Sequence, residues 1–383
     1  MILLRVSLFF IVLLLLPDWY IYKVYIKYIQ HKWQKRLYWL PTVLLLMVLL
    51  VFIVAHDSLH DAFGIYLIVT LCVAVPKLVF VLCDILMKVL RKFLRIPLFG
   101  KTVSSVVAIV TLAYLLFGAI KGKEYFQVKQ VVFSSPDLPE SFDGYRILQL
   151  SDIHAGSWKG NAEALRRAVE ICNAQHPDLA VFTGDLVNSR ADEIKEFMPV
   201  LSKLRAKDGV FSVLGNHDYA TYVQWDSEAD RLANIDTLLA RQEQMGWKML
   251  MNDHQILYRG NDSIALIGVE NSGKPPFPDR GDLPRAQKGT EDMFKVLLSH
   301  DPTHWRRSVL PDTDIQLMLA GHTHDMQINL FGFSFSQFIY PEHKGLYLEG
   351  QRGLYVNIGL GYVLFPMRLG AWPEITVITL RRK

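Results

Sequence analysis

Two histidines that flank a threonine, His322 and His324 in the stretch LMLAGHTHDMQI, are of a type and spacing that could bind a metal ion. Residues two apart on an extended segment point to the same side, so both imidazoles can face one cleft. Such a pair also occurs by chance, and its meaning depends on which other ligands the fold brings to it. Asp325 follows directly. We expect it to be a solvated turn residue; the alternative is that it reaches the cleft.

Four more apolar runs end in polar residues of a similar kind: YRILQLSDIHAG, PDLAVFTGDLVN, GVFSVLGNHDYA and FKVLLSHDP. Each polar residue taken alone has an ordinary structural explanation, such as a helix cap or a tight turn. No ordinary structural explanation of this kind accounts for their occurrence together at the ends of five apolar runs. The residues concerned are Asp152, His154, Asp185, Asn216, His217, Asp218, His300, His322 and His324.

The residue types limit the chemistry. Carboxylates, imidazoles and an amide, with no thiolate among them, suit divalent ions such as Mn²⁺, Fe²⁺, Co²⁺ or Zn²⁺. The set is too large for one ion, whereas two ions ~3.5–4 Å apart with one carboxylate between them would use it. The pattern therefore predicts a site for two divalent metal ions.

The elements around these residues must bring them together. From residue 122 onward, short apolar runs alternate with helical stretches, which is typical of an α/β or layered α+β domain. NAEALRRAVEICNAQ has helical periodicity with Asn161 as its N-cap, and SIALIGVEN is a further strand. Ligands of open α/β sheets bind beyond the carboxyl ends of the strands, and all five polar endings fall there.

In their order along the chain, DIH, GDLV, GNHD, SHDP and GHTH resemble the motif series of the calcineurin-like metallophosphoesterase superfamily, over roughly residues 145–381. The resemblance implies a layered α-β-β-α sandwich. It also implies that His217 stands beside the scissile phosphate and assists departure of the leaving oxygen, with Asp218 orienting it. The implied metal ligands are Asp152, His154 and His324 for one ion, Asn216, His300 and His322 for the other, and Asp185 as the bridge.

The mechanism that the resemblance implies is in-line attack by a metal-bridging hydroxide on a phosphorus atom that both ions hold. The chain is similar to bacterial membrane-anchored members, in which the last motif usually continues with glycine where this chain has Asp325. Some relatives cleave the pyrophosphate of UDP-2,3-diacylglucosamine, a reaction of the cytoplasmic face. The later stretch FGFSFSQFIYPEHKGLY is either a lip facing membrane or substrate, or an edge hairpin packed on the domain.

Hydrophobic residues make up 51% of the chain, and the excess lies before residue 121. Four apolar stretches there are each close to the ~20 residues that cross the hydrocarbon core. The first could be a secretory signal peptide, but it lacks a small-residue cleavage site, and we expect an uncleaved helix. We therefore predict a four-helix transmembrane domain over residues 1–121 and a catalytic domain over 122–383. The four stretches are 1–16, 37–55, 64–86 and 103–120.

Basic residues cluster after the first and third stretches, whereas HDSLHD, between the second and third, contains no Lys or Arg. The positive-inside rule then places the basic connections in the cytoplasm and the catalytic domain on the far side of a bacterial cytoplasmic membrane. HDSLHD is expected to be a short polar turn, with a metal site as the alternative. Pro76 and Lys77 interrupt the third stretch, and packing among the helices would accommodate them.

These features predict a membrane-tethered phosphoesterase acting near the bilayer on a phosphodiester or pyrophosphate of a lipid-linked or envelope substrate. The alternative is a metal-stabilised binding or sensor domain without catalysis. The net charge is only +4 and no basic face is interleaved with aromatics, so we expect no nucleic-acid partner. The expected partners are the lipid bilayer and the substrate.

Overall fold

The computed structural model describes residues 2–54, 60–94 and 99–383 of the chain. It divides into two compact units. The first, called the helical unit here, consists of Met1–Gly122 and Leu364–Leu369; the second, the sheet unit, consists of Lys123–Val363 and Gly370–Lys383. The hexapeptide LFPMRL thus belongs to the helical unit although it follows most of the sheet unit in the sequence.

The helical unit contains α1 (Ile2–Val24), α2 (Lys32–Val54), α3 (His60–Leu94) and α4 (Gly100–Ile120). Three segments are long and apolar enough to cross a membrane: Lys32–Val54, Ala62–Leu94 and Gly100–Ile120. The first apolar stretch of the sequence also folds as a continuous helix, α1, which runs through Pro17. The side chains of HDSLHD, and most of its backbone, lie outside the described residues.

An ion pair with a buried carboxylate lies inside the helical unit. Asp18 of α1 is fully buried, and Nζ of Lys77 in α3 lies 2.7 Å from its Oδ1. Two hydroxyls of α2 donate hydrogen bonds to the same carboxylate, Tyr38 at 2.8 Å and Thr42. Such additional bonds are what make an ion pair tolerable in apolar surroundings. The sequence drew attention to Lys77 alone, and its partner Asp18 was missed.

The sheet unit contains two six-stranded sheets. The first consists of β1 (Gln127–Ser135), β2 (Arg146–Leu150), β3 (Leu179–Phe182), β4 (Val210–Ser212), β5 (Trp247–Met249) and β12 (Glu374–Arg382), in the order β1-β12-β2-β3-β4-β5. The second consists of β6 (Asp253–Arg259), β7 (Asp262–Gly268), β8 (Phe294–Leu298), β9 (Leu317–Ala320), β10 (Gly345–Glu349) and β11 (Arg352–Val356), in the order β10-β11-β9-β8-β7-β6. The helices are α5 (Ala162–Asn173), α6 (Met198–Leu201), α7 (Glu228–Gln244), α8 (Leu283–Ala286) and α9 (Leu310–Asp312).

The two sheets pack face to face between outer layers. Ile147 of β2 contributes to an apolar cluster that joins the two inner faces, with Leu266 and Val296 on the opposite sheet. Its neighbour Leu148 points the other way and packs in a cluster with Leu165 of α5. A further cluster, which includes Trp305, covers the outer face of the second sheet. The predicted α-β-β-α sandwich is therefore confirmed, and burial on both faces explains why its central strands are continuous apolar runs.

Strand direction brings the polar endings to common edges. β2, β3 and β4 run parallel in the first sheet, and β7, β8 and β9 run parallel in the second. The strand predicted at residues 145–150 corresponds to β2, and SIALIGVEN contains all of β7 except its first residue, Asp262. Asn161 does precede α5, but its side chain makes no cap bond and instead donates to Glu124 Oε1 at 2.8 Å.

Candidate metal centre

Asp185, three residues beyond β3, lies between two groups of histidines. Its Oδ2 is 3.1 Å from His300 Nε2 and 3.6 Å from His154 Nε2. Burial opposes ionisation of this carboxyl, yet the charges of the surrounding imidazoles hold its pKa well below its usual range. Asp185 is therefore a buried anion that faces donor atoms on two sides.

The first donor group consists of Asp152, His154 and His324, whose ligand atoms lie within 4.8 Å of one another. His324 Nε2 is 3.2 Å from Asp152 Oδ1 and 3.1 Å from His154 Nε2. All three side chains are buried. Burial and the charge of His217 hold the pKa of His154 well below its ordinary value, so this imidazole is neutral, the form that binds a metal ion.

The second donor group consists of Asp185, His300 and His322. His300 Nδ1 donates to the Thr183 carbonyl at 2.6 Å, which directs its Nε2 toward Asp185. Burial disfavours protonation of His300, but the charges of Asp185 and Asp152 raise its pKa to about 10. A buried site that raises a histidine pKa this far strongly favours positive charge.

Asn216 adds an oxygen ligand to this second group. It lies between Gly215 and His217, and the backbone N–H of His217 donates to Asp185 Oδ1 at 2.8 Å. The amide nitrogen of Asn216 donates to the Tyr222 hydroxyl at 2.8 Å, whereas its Oδ1 is buried without a hydrogen-bond partner among the described residues. A buried oxygen without a donor is costly unless a cation satisfies it, so the donor set fits divalent metal ions.

The loops that present these side chains are locally strained. Residues other than glycine rarely adopt positive φ, and such conformations cluster at functional sites because the surrounding structure must hold them. Five predicted site residues have positive φ: Asp152 at 52°, His154 at 50°, Asp185 at 61°, His322 at 74° and His324 at 50°.

Gly321 makes room for the pair of His322 and His324 that follows it. A Cβ at this position would lie 1.9 Å from Ser151 Oγ and 2.4 Å from Asp152 Oδ2, closer than real Cβ contacts. Gly215 is comparable, since its Cβ would lie 2.3 Å from Asp185 Oδ1. The glycines of GHTH and GNHD therefore permit the close approach of neighbouring loops.

His217 stands beside the first donor group, with its ring centroid 4.8 Å from that of His154. Its Nδ1 donates to the carbonyl oxygen of Asn188 at 2.7 Å, because a carbonyl can only accept. The Asn188 carbonyl, rather than Asp218, is thus the group that holds this ring. His217 also forms, with His154 and Asp185, a third group whose ligand atoms lie within 4.8 Å of one another.

Asp218 has a different role from the one that the family resemblance implied. Its two carboxylate oxygens accept hydrogen bonds from backbone N–H groups: Asp185 at 2.8 Å, Leu186 at 2.8 Å, Val187 at 3.2 Å and Gly215 at 2.9 Å. Burial and the charge of Asp185 raise the pKa of this carboxyl, while these N–H donors oppose the rise. Asp218 therefore holds the backbone of the GDLV and GNHD loops together.

Three residues of the site were missed by sequence reasoning. Asn188 Oδ1 lies 3.1 Å from His154 Nδ1, and the ring of Tyr222 stacks on that of His217 with centroids 4.2 Å apart. The hydroxyl of Tyr340 lies 2.9 Å from His322 Nε2. Asn188 and Tyr222 are near motif residues in the sequence and could have been suspected. Tyr340 lies in the stretch FGFSFSQFIYPEHKGLY, which the sequence marked as a possible lip, but nothing in the sequence singled out this residue.

The expectation that Asp325 is a solvated turn residue was wrong. It is buried, with a φ of 48°. Its Oδ2 accepts from Asn329 Nδ2 at 2.5 Å and lies 3.4 Å from Lys344 Nζ, while its carbonyl accepts from the Ser334 hydroxyl at 2.7 Å. Asp325 therefore fixes the segment that follows the histidine pair.

Comparison with known proteins gives matches over both units. A model described as "Probable Calcineurin-like phosphoesterase, transmembrane domain" matches residues 4–123, and one described as "Calcineurin-like phosphoesterase" matches residues 145–326. The chain is 31% identical over 283 residues to a transmembrane protein with metallophosphoesterase domain from Danio rerio, covering 72% of this chain and 62% of that protein. It is 32% identical over 256 residues to the uncharacterized metallophosphoesterase YkuE of Bacillus subtilis, covering 64% and 82%. It thus spans less than two thirds of the Danio rerio protein.

Proposed function

Since the chain belongs to the calcineurin-like metallophosphoesterase family, we propose that it is a membrane-tethered phosphoesterase with two divalent metal ions. The observation that carries this proposal is the position of Asp185, whose carboxylate faces His154 of one donor group and His300 of the other. The proposed substrate is a phosphodiester or pyrophosphate, lipid-linked or part of the envelope.

The proposed ligands divide between the two donor groups around Asp185. Divalent ions there would neutralise phosphate charge and activate water as the nucleophile. The chain itself contributes rigid placement, because the ligands other than His322 are buried and backbone N–H groups donate to Asp218. The ligands are Asp152, His154 and His324 for one ion, Asn216, His300 and His322 for the other, and Asp185 for both.

His217 is the proposed proton donor to the leaving oxygen. The Asn188 carbonyl accepts from Nδ1, so the protonated ring has its second N–H, at Nε2, available for an ester oxygen. Stacking on Tyr222 fixes the plane of the ring. Burial raises the pKa of Tyr222 to about 12, so its hydroxyl is neutral at physiological pH and can donate to a phosphate oxygen.

Metal-dependent hydrolysis of bis-(p-nitrophenyl) phosphate by the purified full chain tests the proposal. Asp185→Asn and His217→Ala should each lower kcat by about 10²–10⁴-fold. This is the usual contribution of a catalytic proton donor. The matched controls are Asp236→Asn and His176→Ala, because both residues are exposed. Wild-type activity in the two site variants would refute the assignment.

The proposed location of the sheet unit is extracytoplasmic. The charge pattern supports this, since the basic connections follow the first and third apolar stretches. A topology reporter fused after Lys383 tests it, with a signal expected on the far side of the membrane. A cytoplasmic signal would favour a nucleotide-linked lipid as substrate.

A binding or sensor role without catalysis is the second candidate. The ion pair between Lys77 and the buried Asp18 favours it, because ionisable groups within membrane helices commonly mark a functional pathway. Stoichiometric metal binding without hydrolysis of any phosphate ester would support this role.

A further inference from the structure

An apolar loop follows the GHTH motif in the sheet unit. Residues Leu330–Tyr340, called the aromatic loop here, lie outside the strands and contain only the short turn Phe335–Phe338. Phe335 is 66% exposed, Phe338 is 72% exposed, and Phe331 is fully exposed. Every exposed phenylalanine that the structure describes in the sheet unit lies in this loop; the fourth is Phe333.

The rings of the aromatic loop form one patch. Phe333 contacts Phe335 and Phe338 with ring centroids 5.4 and 6.0 Å apart, and Phe335 and Phe338 are 6.3 Å apart. A reciprocal pair of backbone hydrogen bonds between Leu330 and Phe333 closes the start of the loop. The patch is therefore preorganised and does not depend on a partner for its shape.

The composition of the loop indicates the chemistry of its partner. Residues 326–341 contain no Asp, Glu, Lys or Arg. Contiguous exposed apolar surface of this kind marks an interaction site. Burying it against a partner would gain ~25 cal/mol of free energy for each Å² removed from water. The same chain contains helices long and apolar enough to cross a membrane, which favours a lipid surface over other apolar partners. Exposed aromatic side chains are well suited to the region between headgroups and acyl chains.

Tyr340 connects this patch to the metal centre. It ends the aromatic loop, and its hydroxyl lies 2.9 Å from Nε2 of His322. Phe338 is only two residues away, a separation of ~7 Å at most along the backbone. The aromatic loop thus ends at a residue that contacts the second donor group.

We propose that the aromatic loop inserts among the acyl chains of a lipid surface and brings phosphate esters of that surface to the metal centre. The substrate class is then a phosphate ester with an apolar tail. The lipid contact stands on the loop alone, whereas the substrate class rests on the proposed function. Asp325, which binds Asn329 and Ser334 at the root of the loop, holds the patch in place.

Photo-crosslinking tests the lipid contact independently of activity. The full chain, with p-benzoylphenylalanine at Phe335, is placed in phosphatidylcholine nanodiscs and irradiated, and adducts are identified by mass spectrometry. The matched control carries the same group at Tyr258, which is 74% exposed on β6. At least tenfold more lipid adduct is expected at Phe335. Equal yields at both positions, no lipid adduct at Phe335, or mainly crosslinked dimers would overturn the proposal.

Two synthetic esters test the substrate class. Ethyl and hexadecyl p-nitrophenyl phosphate undergo the same reaction and differ only in the apolar tail. The ratio of kcat/KM for hexadecyl over ethyl should exceed ten in the wild type, fall at least tenfold when Phe331, Phe335 and Phe338 are replaced by serine, and be unchanged in Tyr258→Ser. A ratio near one in the wild type, or one that survives the triple replacement, would overturn the substrate class. If neither ester is hydrolysed, the proposed function fails, and the crosslinking result still decides the lipid contact.

Discussion

Oδ2 of Asp218 accepts a hydrogen bond from the backbone N–H of Asp185 at 2.8 Å. The same oxygen accepts a second one from the backbone N–H of Gly215 at 2.9 Å. One buried side chain thereby fixes the loop that presents the central carboxylate and the loop that presents Asn216 and His217. The geometry of the candidate centre thus depends on Asp218, whose side chain accepts hydrogen bonds from backbone N–H groups.

Replacing Asp218 by asparagine should loosen this arrangement. The new amide would turn an NH₂ group toward backbone donors, so bonds to Asp185 and Gly215 or to Leu186 and Val187 would be lost. Residues that orient ligands in this way typically contribute 10–100-fold in metal affinity. We expect a loss of that order in titrations with Mn²⁺ and Zn²⁺, accompanied by a lower Tm. Unchanged affinity, equal to that of the exposed control Asp236→Asn, would contradict this role.

Asn216 should matter through its oxygen. Asn216→Ala removes the buried Oδ1, to which none of the described residues donates, and about one equivalent of metal per chain should be lost with it. Asn216→Asp retains an oxygen and should retain the metal. Metal content by mass spectrometry after dialysis distinguishes the two variants. Equal metal content in both would show that this oxygen is not a ligand.

Asp325→Gly should release the root of the aromatic loop. The bond from Asn329 and the contact with Lys344 would disappear, and an unpaired lysine would be left beside buried groups. We expect a loss of about 1–3 kcal/mol in stability and faster proteolysis within the loop. Asp325→Asn, which retains an acceptor oxygen, should show a smaller change. Identical cleavage in the glycine variant and the wild type would exclude this role.

His304 should make stability depend on pH. Burial, with a smaller contribution from Arg307, lowers its pKa to about 4. The folded value lies below the unfolded one of about 6.5, so the unfolded chain takes up the proton first as pH falls. The neutral His304 ring therefore contributes fully to the free energy of unfolding above pH ~6.5. This contribution, up to about 3 kcal/mol, is lost as pH falls toward ~4.

The Tm of detergent-solubilised protein at pH 7 and pH 5 measures this effect. His304→Gln, which replaces a side chain bound to the Ser299 hydroxyl, should show a shallower decline than the wild type. The metal ligands titrate in both proteins, so they cancel in the comparison. Parallel declines would mean that His304 does not contribute.

The sandwich and the candidate ligands could be predicted because the signals are local. A buried parallel strand is a continuous apolar run, and a polar residue directly after it must lie at the sheet edge, as Asp152 and His300 do. Asn188 lies near a motif and could have been suspected, but the bond from His217 to its carbonyl could not, because a backbone carbonyl carries no sequence signature. Tyr340 and Asp325 depend on how a loop without regular structure folds back, which no periodicity encodes.

The pairing inside the helical unit was equally hidden. Lys77 was recognisable as an interruption of an apolar stretch, but Asp18 lies at the end of another, where a charge is unremarkable in a sequence. Only the packing of α1 against α3 shows that the two side chains meet.

The place of Leu364–Leu369 in the helical unit has a consequence for biosynthesis. α1 to α4 leave the ribosome first, yet the hexapeptide that completes their unit is translated only after all of Lys123–Val363. Gly118 accepts a backbone hydrogen bond from Arg368 at 3.2 Å, so this late segment is engaged with α4. The helical unit therefore stays incomplete until nearly the end of translation. Its helices should be cleaved faster by protease in nascent chains stalled before residue 364 than in chains stalled after residue 369.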